Sequence, residues 1–231
     1  MRISVVIPVL NEVECLPRLI TSLQQIGGVA EIIIADGGST DGTREWALGQ
    51  QGILLVDSRR GKGPQLNAGA ARASGDVLLF LHADCQMCRE AWLALQPAIS
   101  DPQTAGGAFH VSFAEKAPGL LRLVEKGINA RTTVTRTATG DQGIFVRRSI
   151  FCEFAGAPDW PLFEDVELTR RIKKAGRFAV IKLPLIISGR RYIENGVVQT
   201  ALLIFALRLG FWLGVSPHRL KKWFNEVGKS R

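Results

Sequence analysis

The first hundred residues alternate between short, continuously apolar segments and segments in which apolar residues recur every three or four positions. Continuous apolar segments of about four to eight residues predict buried strands. We assign four of them, at residues 3–10, 31–35, 53–56 and 77–81. A helix after the first strand is expected from an apolar face with helical spacing, formed by Leu16, Leu19, Ile20 and Leu23. A second, Ala-rich helix is expected at residues 64–73.

Strands that alternate with helices and stay apolar along their whole length are typical of a parallel sheet with helices on both faces. In such sheets, ligands bind at the carboxyl ends of the strands. The polar residues that follow the four strands are therefore the first candidates for a site, at positions 11–12, 36–37, 57–60 and 82–84.

The second half of the chain is less regular. Strands are expected at residues 106–113 and 144–146 and a helix at 162–174, and residues 179–187 form another apolar stretch. Residues 200–215 form a strongly apolar segment interrupted by Arg208, followed by a tail rich in Lys and Arg. This segment is short of the ~20 residues that span a bilayer. Three interpretations stay open for it: a buried helix, a homodimer surface, or a helix lying in the plane of a membrane.

Composition and charge narrow the class of protein. The chain has 231 residues, of which 46% are hydrophobic and 22% charged, values that indicate a folded globular protein and exclude a disordered or collagen-like chain. The net charge of +8 favours an anionic partner, either a phosphorylated substrate or an acidic membrane surface. No block of Lys and Arg is interleaved with aromatic residues, so nucleic acid is not expected as a partner.

Four cysteines are too few to cross-link a chain of this length, and no signal peptide precedes the first apolar segment. We therefore expect a cytoplasmic protein with reduced thiols. Cys85 and Cys88 form a single C-x-x-C pair, a weak indication of zinc because no second pair accompanies it.

The common phosphate-binding loops are absent from the sequence. The G-x-G-x-x-G pattern would follow the first strand, where the chain has Asn11 and Glu12, and Gly61-Lys62 lacks the earlier Gly of a P-loop. Phosphates held through a metal ion remain. Asp84 ends the fourth strand segment, and a carboxylate there can hold Mg²⁺ or Mn²⁺ and so bridge a diphosphate. The alternative is that Asp84 only caps the next helix.

Several segments together resemble a known family. They are VVIPVLNE, EIIIADGGSTDGT, GAARASGD, LLFLHAD and FEDVEL, in that order. The ordered set, over roughly residues 1–190, resembles the family-two inverting nucleotide-sugar glycosyltransferases. GDQGIFVRR and SGRRY resemble a small bacterial branch of that class. The resemblance implies a GT-A fold, an α/β domain with a Rossmann-like, mostly parallel sheet flanked by helices.

The resemblance also implies roles for residues of the first half. Pro8 and Glu12 correspond to the loop that contacts the base and ribose, and Asp36 to the acid that recognises uracil or ribose. Many relatives have a second Asp where this chain has Gly37. Ala83 and Asp84 correspond to the end of the D-x-D motif, with Asp84 binding metal and diphosphate. His82 replaces the first acid of that motif and is a second candidate metal ligand.

In the second half, Asp165 corresponds to the general base, with Glu164 beside it. An inverting transferase needs one carboxylate opposite the leaving diphosphate to take a proton from the acceptor hydroxyl. It also needs a cation to neutralise charge on the leaving group. The alternative for Glu164 and Asp165 is that these acids only stabilise a helix N-terminus. Asp141 belongs to a segment resembling the loop near the diphosphate, and a plain turn is its alternative.

Basic residues add weaker candidates. Arg60 and Lys62 follow the third strand and are candidate contacts of the diphosphate, with a solvated loop as the alternative. Arg190 and Arg191 are a further candidate phosphate contact, with surface charge as the alternative.

We therefore predict a glycosyltransferase domain at residues 1–195, with a nucleotide-binding half at about 1–100 and an acceptor half at about 101–195. A helical appendage is expected at 196–231. The predicted reaction is metal-dependent transfer of a sugar, with inversion, from a nucleotide-diphosphate donor, a UDP-sugar being favoured. The acceptor is an unidentified hydroxyl compound, with a lipid-like one as an option. A peripheral location at the cytoplasmic face of the inner membrane would suit such an acceptor.

Two other functions stay open at this stage. One is a nucleotidyltransferase that makes sugar nucleotides, which would usually show a Gly-rich, basic loop after the first strand. The other is a degenerate transferase that binds a nucleotide sugar without catalysis, for which Gly37 and His82 are the motivation.

Overall fold

The computed structural model describes residues 1–114 and 119–229. Eight strands form one sheet in the order β3-β2-β1-β4-β7-β6-β8-β5. Their bounds are β1 Ile3–Val9, β2 Glu31–Asp36, β3 Ile53–Asp57, β4 Val77–Phe80, β5 Cys85–Gln86, β6 Thr104–Phe113, β7 Ile144–Arg147 and β8 Arg177–Ile187. The mixed α/β sheet with flanking helices that the sequence predicts is confirmed.

Ten α-helices and one 3-10 turn are present in the described part of the chain. The helices are α1 Leu16–Ile26, α2 Thr43–Leu48, α3 Lys62–Arg72, α4 Arg89–Ser100, α5 Gly119–Thr135, α6 Arg148–Glu153, α7 Glu164–Ala175, α8 Arg190–Asn195, α9 Val197–Trp212 and α10 Pro217–Lys229. The 3-10 turn is Gly140–Gln142, immediately before β7.

The first half has the expected parallel arrangement. Strands β3, β2, β1 and β4 run parallel to one another, and alternate side chains of each strand enter two hydrophobic layers. Val5 packs with α1 and α4 in one layer, and Val6 packs with α3, α6 and α7 in the other. All four residues of the predicted face of α1 are buried. The carboxyl ends of β1, β2 and β4 consequently meet at one edge of the sheet.

The second half is mixed rather than parallel. Strand β7 runs antiparallel to both β4 and β6, while β6 and β8 pair in parallel with a register shift after Phe109. Helix α7 begins at Glu164 rather than at residue 162, because Phe163 has a left-handed backbone with φ of 65°. Helix α5 was not expected from the sequence. Only Leu121 and Thr132 of this helix are buried, so its sequence does not need the regular apolar face by which a helix is predicted.

Helix α9 packs one side against the rest of the chain and exposes the other, so it is not the fully buried helix of the first interpretation. Only Thr200 and Leu207 are buried, although the helix is apolar on every side. Leu207 packs with Phe163 and with Leu220 of α10. The exposed apolar side chains, which we call the α9 face, are Val198, Leu202, Phe205, Leu209, Trp212 and Leu213. Across the described residues, no helix combines the length and the apolar character needed to cross a membrane. Residues 230 and 231 of the predicted appendage lie outside the described part of the chain.

Candidate active site

Asp36 ends β2 and is almost completely buried, with 2% of its surface exposed. Its carboxylate accepts hydrogen bonds from the backbone N–H and the hydroxyl of Ser39. Arg44 lies 3.8 Å away through Nη1, and the same guanidinium pairs with Asp57. The Asp36 carboxylate is therefore held rigidly at the sheet edge as a hydrogen-bond acceptor. Asp57, which follows the third predicted strand, forms an ion pair with Arg44.

Gly37 has the side chain of Gln65 beside it. A Cβ atom at position 37 would lie 3.1 Å from the Gln65 amide. Gln65 is buried on α3 and donates from Nε2 to the carbonyls of Val9, at 2.6 Å, and Ala35, at 2.9 Å. Gln65 thus ties the ends of β1 and β2 together and occupies the space next to Gly37. Apart from its position on an Ala-rich helix, no sequence pattern singles out Gln65.

The loop after β1 is tied to the loop after β2. Asn11 adopts a left-handed backbone with φ of 58°, accepts from the N–H of Thr40 at 2.8 Å and donates its own N–H to Ser39 Oγ at 2.9 Å. Asn tolerates this backbone better than most residues. The turn holds Glu12 at the sheet edge, where burial and the charge of Asp84 raise the pKa of the Glu12 carboxyl.

His82, Ala83 and Asp84 follow β4. His82 Nε2 lies 3.2 Å from the ammonium of Lys62. Burial and the charge of Lys62 hold the pKa of His82 well below its usual value, so the neutral ring accepts a hydrogen bond from the Lys62 ammonium. Ala83 is buried and Asp84 is exposed to solvent. Burial and the Asp141 carboxylate raise the pKa of Asp84.

Gly140 lies between the two halves of the site. Its backbone N–H donates to Asp165 Oδ2 at 2.8 Å. A Cβ atom at this position would lie 2.5 Å from His82 Nε2, so only glycine fits without displacing the imidazole. Thr139 and Gln142 form a capping box around the turn, which fixes the direction of the Gly140 N–H. The loop after β4 and the start of α7 are therefore joined through one glycine.

Glu164 and Asp165 begin α7. Asp165 Oδ1 accepts from the N–H of Val166 at 2.7 Å, so both carboxylate oxygens are oriented. Glu164 is buried, and its desolvation together with the charge of Asp165 raises its pKa to about 7. Phe163, just before them, keeps its strained backbone because its ring packs on Phe211 of α9, with centroids 4.8 Å apart. Helix α9 thus supports the candidate base.

Cations surround this carboxylate cluster. Charge from Lys62 and Arg191 reaches Asp84, and Arg190 acts on Glu12. Lys221 of α10 interacts electrostatically with Glu164. Arg60 lies on the exposed loop before α3, within electrostatic range of Lys221. The structure brings the first-half candidates and the second-half candidates to one place, with Arg60 at its margin.

The carboxylates have the chemistry of a divalent-cation site. Within residues 1–114 and 119–229, no three His, Cys, Asp or Glu side chains are arranged to hold an ion by themselves. Mg²⁺ usually needs only one or two carboxylates, since substrate phosphates and water complete its shell. Asp84 and Asp141 are the candidates for these one or two carboxylates. Asp141 raises the pKa of Asp84, and Asp141 Oδ1 is buried with no hydrogen-bond partner in the described structure. His82 as a ligand stays a prediction, and its Nε2 faces Lys62.

Comparison with known proteins identifies the family. Residues 4–151 match the family model described as Glycosyl transferase family 2, and the chain belongs to that family. Glycosyltransferase AglE of Haloferax volcanii is 26% identical over 193 residues, which is 75% of this chain and 62% of that protein. The undecaprenyl-phosphate 4-deoxy-4-formamido-L-arabinose transferase of Salmonella typhimurium is 35% identical over 96 residues, 37% of this chain and 29% of that protein. The chain spans less than two thirds of both relatives.

A solved structure supports the same fold. Glucosyl-3-phosphoglycerate synthase of Mycobacterium tuberculosis, in complex with Mn²⁺ and UDP-glucose, superposes with a TM-score of 0.58 at 21% sequence identity. The match covers 84% of this chain and 74% of that one. The predicted GT-A fold and the predicted family are both confirmed.

Glu164 generates a prediction about stability. Between pH 4.5 and about 7, the folded protein holds a proton that the unfolded chain releases, so the free energy of unfolding falls as pH rises through this window. Glu164→Gln removes this cost. We expect the free energy of unfolding of the variant, relative to that of the parent, to rise by on the order of 2 kcal/mol from pH 5 to pH 8. Urea unfolding at the two pH values measures it, with exposed Glu153→Gln as the control. An equal difference at both pH values would contradict a buried, protonated Glu164.

Proposed function

We propose that the chain transfers a sugar, with inversion, from a nucleotide-diphosphate sugar to an acceptor hydroxyl. The observation that carries the proposal is the hydrogen bond from Gly140 to Asp165, since it brings a candidate base of the second half to the carboxyl end of β4. An inverting displacement needs a base on the face of the sugar opposite the leaving diphosphate. Asp165 and Asp84 come from opposite sides of this junction.

The nucleotide end of the donor is assigned to the edge formed by β1 and β2. Asp36 offers a fixed carboxylate for a ribose hydroxyl or a base N–H, and Pro8 and Glu12 line the same edge. Gln65 closes the position at which many relatives have a second acid. The fold neighbour with UDP-glucose supports a UDP-sugar as the donor.

The diphosphate end is assigned to the loop after β4. Asp84, with Asp141 beside it, would hold Mn²⁺ or Mg²⁺, which supplies positive charge to the leaving diphosphate. Lys62 and Arg191 act on the same carboxylate and are placed to receive phosphate oxygens. Ala83 would contact the diphosphate through its backbone in the same loop. Arg60, at the margin of the site, is a further candidate contact of the diphosphate.

The base is assigned to Asp165. The N–H groups of Gly140 and Val166 orient its carboxylate, so it accepts the acceptor proton without first reorganising. Glu164, protonated below about pH 7, keeps a second negative charge away from Asp165.

A peripheral location on the cytoplasmic face of the inner membrane belongs to the same proposal. The α9 face is apolar and exposed, and Arg219, Lys222 and Trp223 on the neighbouring helix α10 are exposed as well. Apolar side chains beside basic ones suit the interface of an acidic bilayer. One relative is named for a lipid-linked acceptor, undecaprenyl phosphate, which supports this assignment. A homodimer through the α9 face is the competing outcome.

The metal assignment predicts a change in donor binding. Asp84→Ala should weaken binding of the preferred sugar nucleotide, among UDP-glucose, GDP-mannose and TDP-glucose, by about tenfold or more in Mn²⁺. Binding without metal should change little. Titration calorimetry with and without Mn²⁺ measures both, and exposed Glu153→Ala serves as the control. Equal affinities of the variant and the parent in Mn²⁺ would remove Asp84 from the metal site.

The base assignment predicts a change in turnover. Asp165→Asn keeps the shape and one of the two hydrogen bonds, since its amide has a single acceptor oxygen, but it loses basicity, so kcat should fall by ~10²–10⁴-fold. Donor affinity should barely change. Steady-state rates of donor hydrolysis or transfer, combined with calorimetry, separate the two effects, and Glu164→Gln should cost less. Near-parent turnover in Asp165→Asn would make Asp141 the next candidate, and absence of any hydrolysis in the parent would favour a non-catalytic binding protein.

The membrane assignment predicts salt-sensitive lipid binding. Flotation with vesicles of phosphatidylcholine and phosphatidylglycerol should recover the protein at low salt and less of it at high salt, since exposed charges are screened beyond ~10 Å at 0.1 M. The double variant Leu202→Ser/Phe205→Ser should lose binding. Leu93→Ser, which changes an equally exposed Leu on α4, is the matched control. Equal recovery with neutral vesicles, or no recovery at all, would contradict the assignment.

A further inference from the structure

Two partly buried arginines each have one buried donor atom with no partner in the described structure. They are Arg131 on α5, through Nε, and Arg208 on α9, through Nη1. Neither guanidinium is in an ion pair among the described residues. A buried charged donor left without an acceptor costs more than the ~1–3 kcal/mol of a neutral one. Two such donors indicate an anionic group that is bound there during function.

Arg131 is fixed to the turn that carries Gly140. Its Nη2 donates to Gln142 Oε1 at 2.8 Å, and Gln142 donates in turn to the carbonyl of Phe109 at 3.1 Å. Gln142 is fully buried, so this connection is rigid. The turn held in this way is the one whose Gly140 N–H binds Asp165. Arg131 therefore belongs to the acceptor half, on the side of the candidate base.

Arg208 reaches the same region from α9. The neighbouring Leu207 packs on Phe163, two residues before Asp165, and α9 also contacts α5. Burial and the like charge of Arg208 lower the pKa of Arg131 to about 10, while Asp141 and Asp165 act in the opposite direction. Burial likewise lowers the pKa of Arg208, against the charges of Asp165 and Asp141. Both arginines stay protonated at neutral pH, and both lie within electrostatic range of Asp165.

We propose that Arg131 and Arg208 bind a phosphate group carried by the acceptor, and so present the acceptor oxygen to Asp165: a hydroxyl of a phosphorylated metabolite, or a P–OH oxygen of the phosphate itself in a lipid monophosphate, with the nucleoside diphosphate leaving in both cases. This assignment rests on the proposed function and names the chemical class of the acceptor, a phosphate monoester. Guanidinium groups suit phosphate because their planar N–H groups match its oxygens. The donor diphosphate is the competing occupant, because both arginines also interact with Asp141 of the candidate metal pair, and the experiment therefore blocks the donor site with UDP.

The phosphate comes from one of two sources, a soluble metabolite or a lipid phosphate. A lipid would place its chain along the α9 face, because Arg208 lies on the same helix as Leu202 and Phe205. Inorganic phosphate and dodecyl phosphate are therefore the two probes. Both are added to protein saturated with UDP, so that the donor site is blocked and the acceptor site alone is measured.

Binding is measured by titration calorimetry, with the shift in melting temperature as a second readout. We expect the parent to bind a probe, and Arg131→Gln and Arg208→Gln each to weaken it at least tenfold. Arg122→Gln, an exposed arginine on α5, should leave binding unchanged. Arg208→Lys keeps charge and fold, and should retain more affinity than the Gln variant. The Lys variant and the melting temperatures separate lost binding from failed folding.

The two arms identify the source. A dodecyl phosphate affinity above that of inorganic phosphate, lost in Leu202→Ser/Phe205→Ser, supports a lipid phosphate, whereas equal affinities support a soluble one. Probe affinity equal in the parent and in folded Arg131→Gln and Arg208→Gln, or no binding of either probe to UDP-saturated parent, would overturn the inference while leaving the donor site intact. Failure of any nucleotide to bind would instead contradict the proposed function, and the probes are then titrated alone.

Discussion

The hydrogen bond from the Gly140 amide to Asp165 is the contact on which the site depends. Gly140 has no room for a side chain, because His82 lies against it, and His82 is in turn engaged by Lys62. Four segments of the chain therefore meet through hydrogen bonds and close packing: the end of β4, the start of α3, the 3-10 turn and the start of α7. The carboxylate of Asp165 is oriented before any substrate arrives, which is the condition for effective transition-state stabilisation.

The C-terminal helices take part in this arrangement. Phe163 carries a backbone conformation that costs energy in isolation, and the ring of Phe211 on α9 packs directly against it. Arg208 on the same helix is partly buried and lies within electrostatic range of Asp165, while the opposite face of α9 is exposed. Residues beyond 195 thus connect the candidate base with a surface suited to an interface. A separate appendage with no contact to the site does not describe them.

The sequence predicted the parallel half of the fold well, because buried strands and an amphipathic helix have clear periods, as at α1. It also predicted the places of Asp36, Asp84 and Asp165, since each belongs to an ordered set of motifs. Gln65 and Arg131 escaped prediction because their roles depend on long-range contacts, such as Gln65 with the ends of β1 and β2. Arg208 was noticed only as an interruption of an apolar segment, since no local pattern shows that α9 turns this residue inward.

The central claim is that Asp165 acts on the face of the sugar opposite the leaving diphosphate. Proton NMR of the sugar product, recorded in the first minutes of turnover with an α-linked donor such as UDP-glucose, tests it most directly. Water serves as the acceptor if no other is known. The account predicts that the β-anomer forms first and that the α-anomer appears only as free sugar mutarotates. Initial formation of the α-anomer would mean retention of configuration, and would contradict a single base at Asp165.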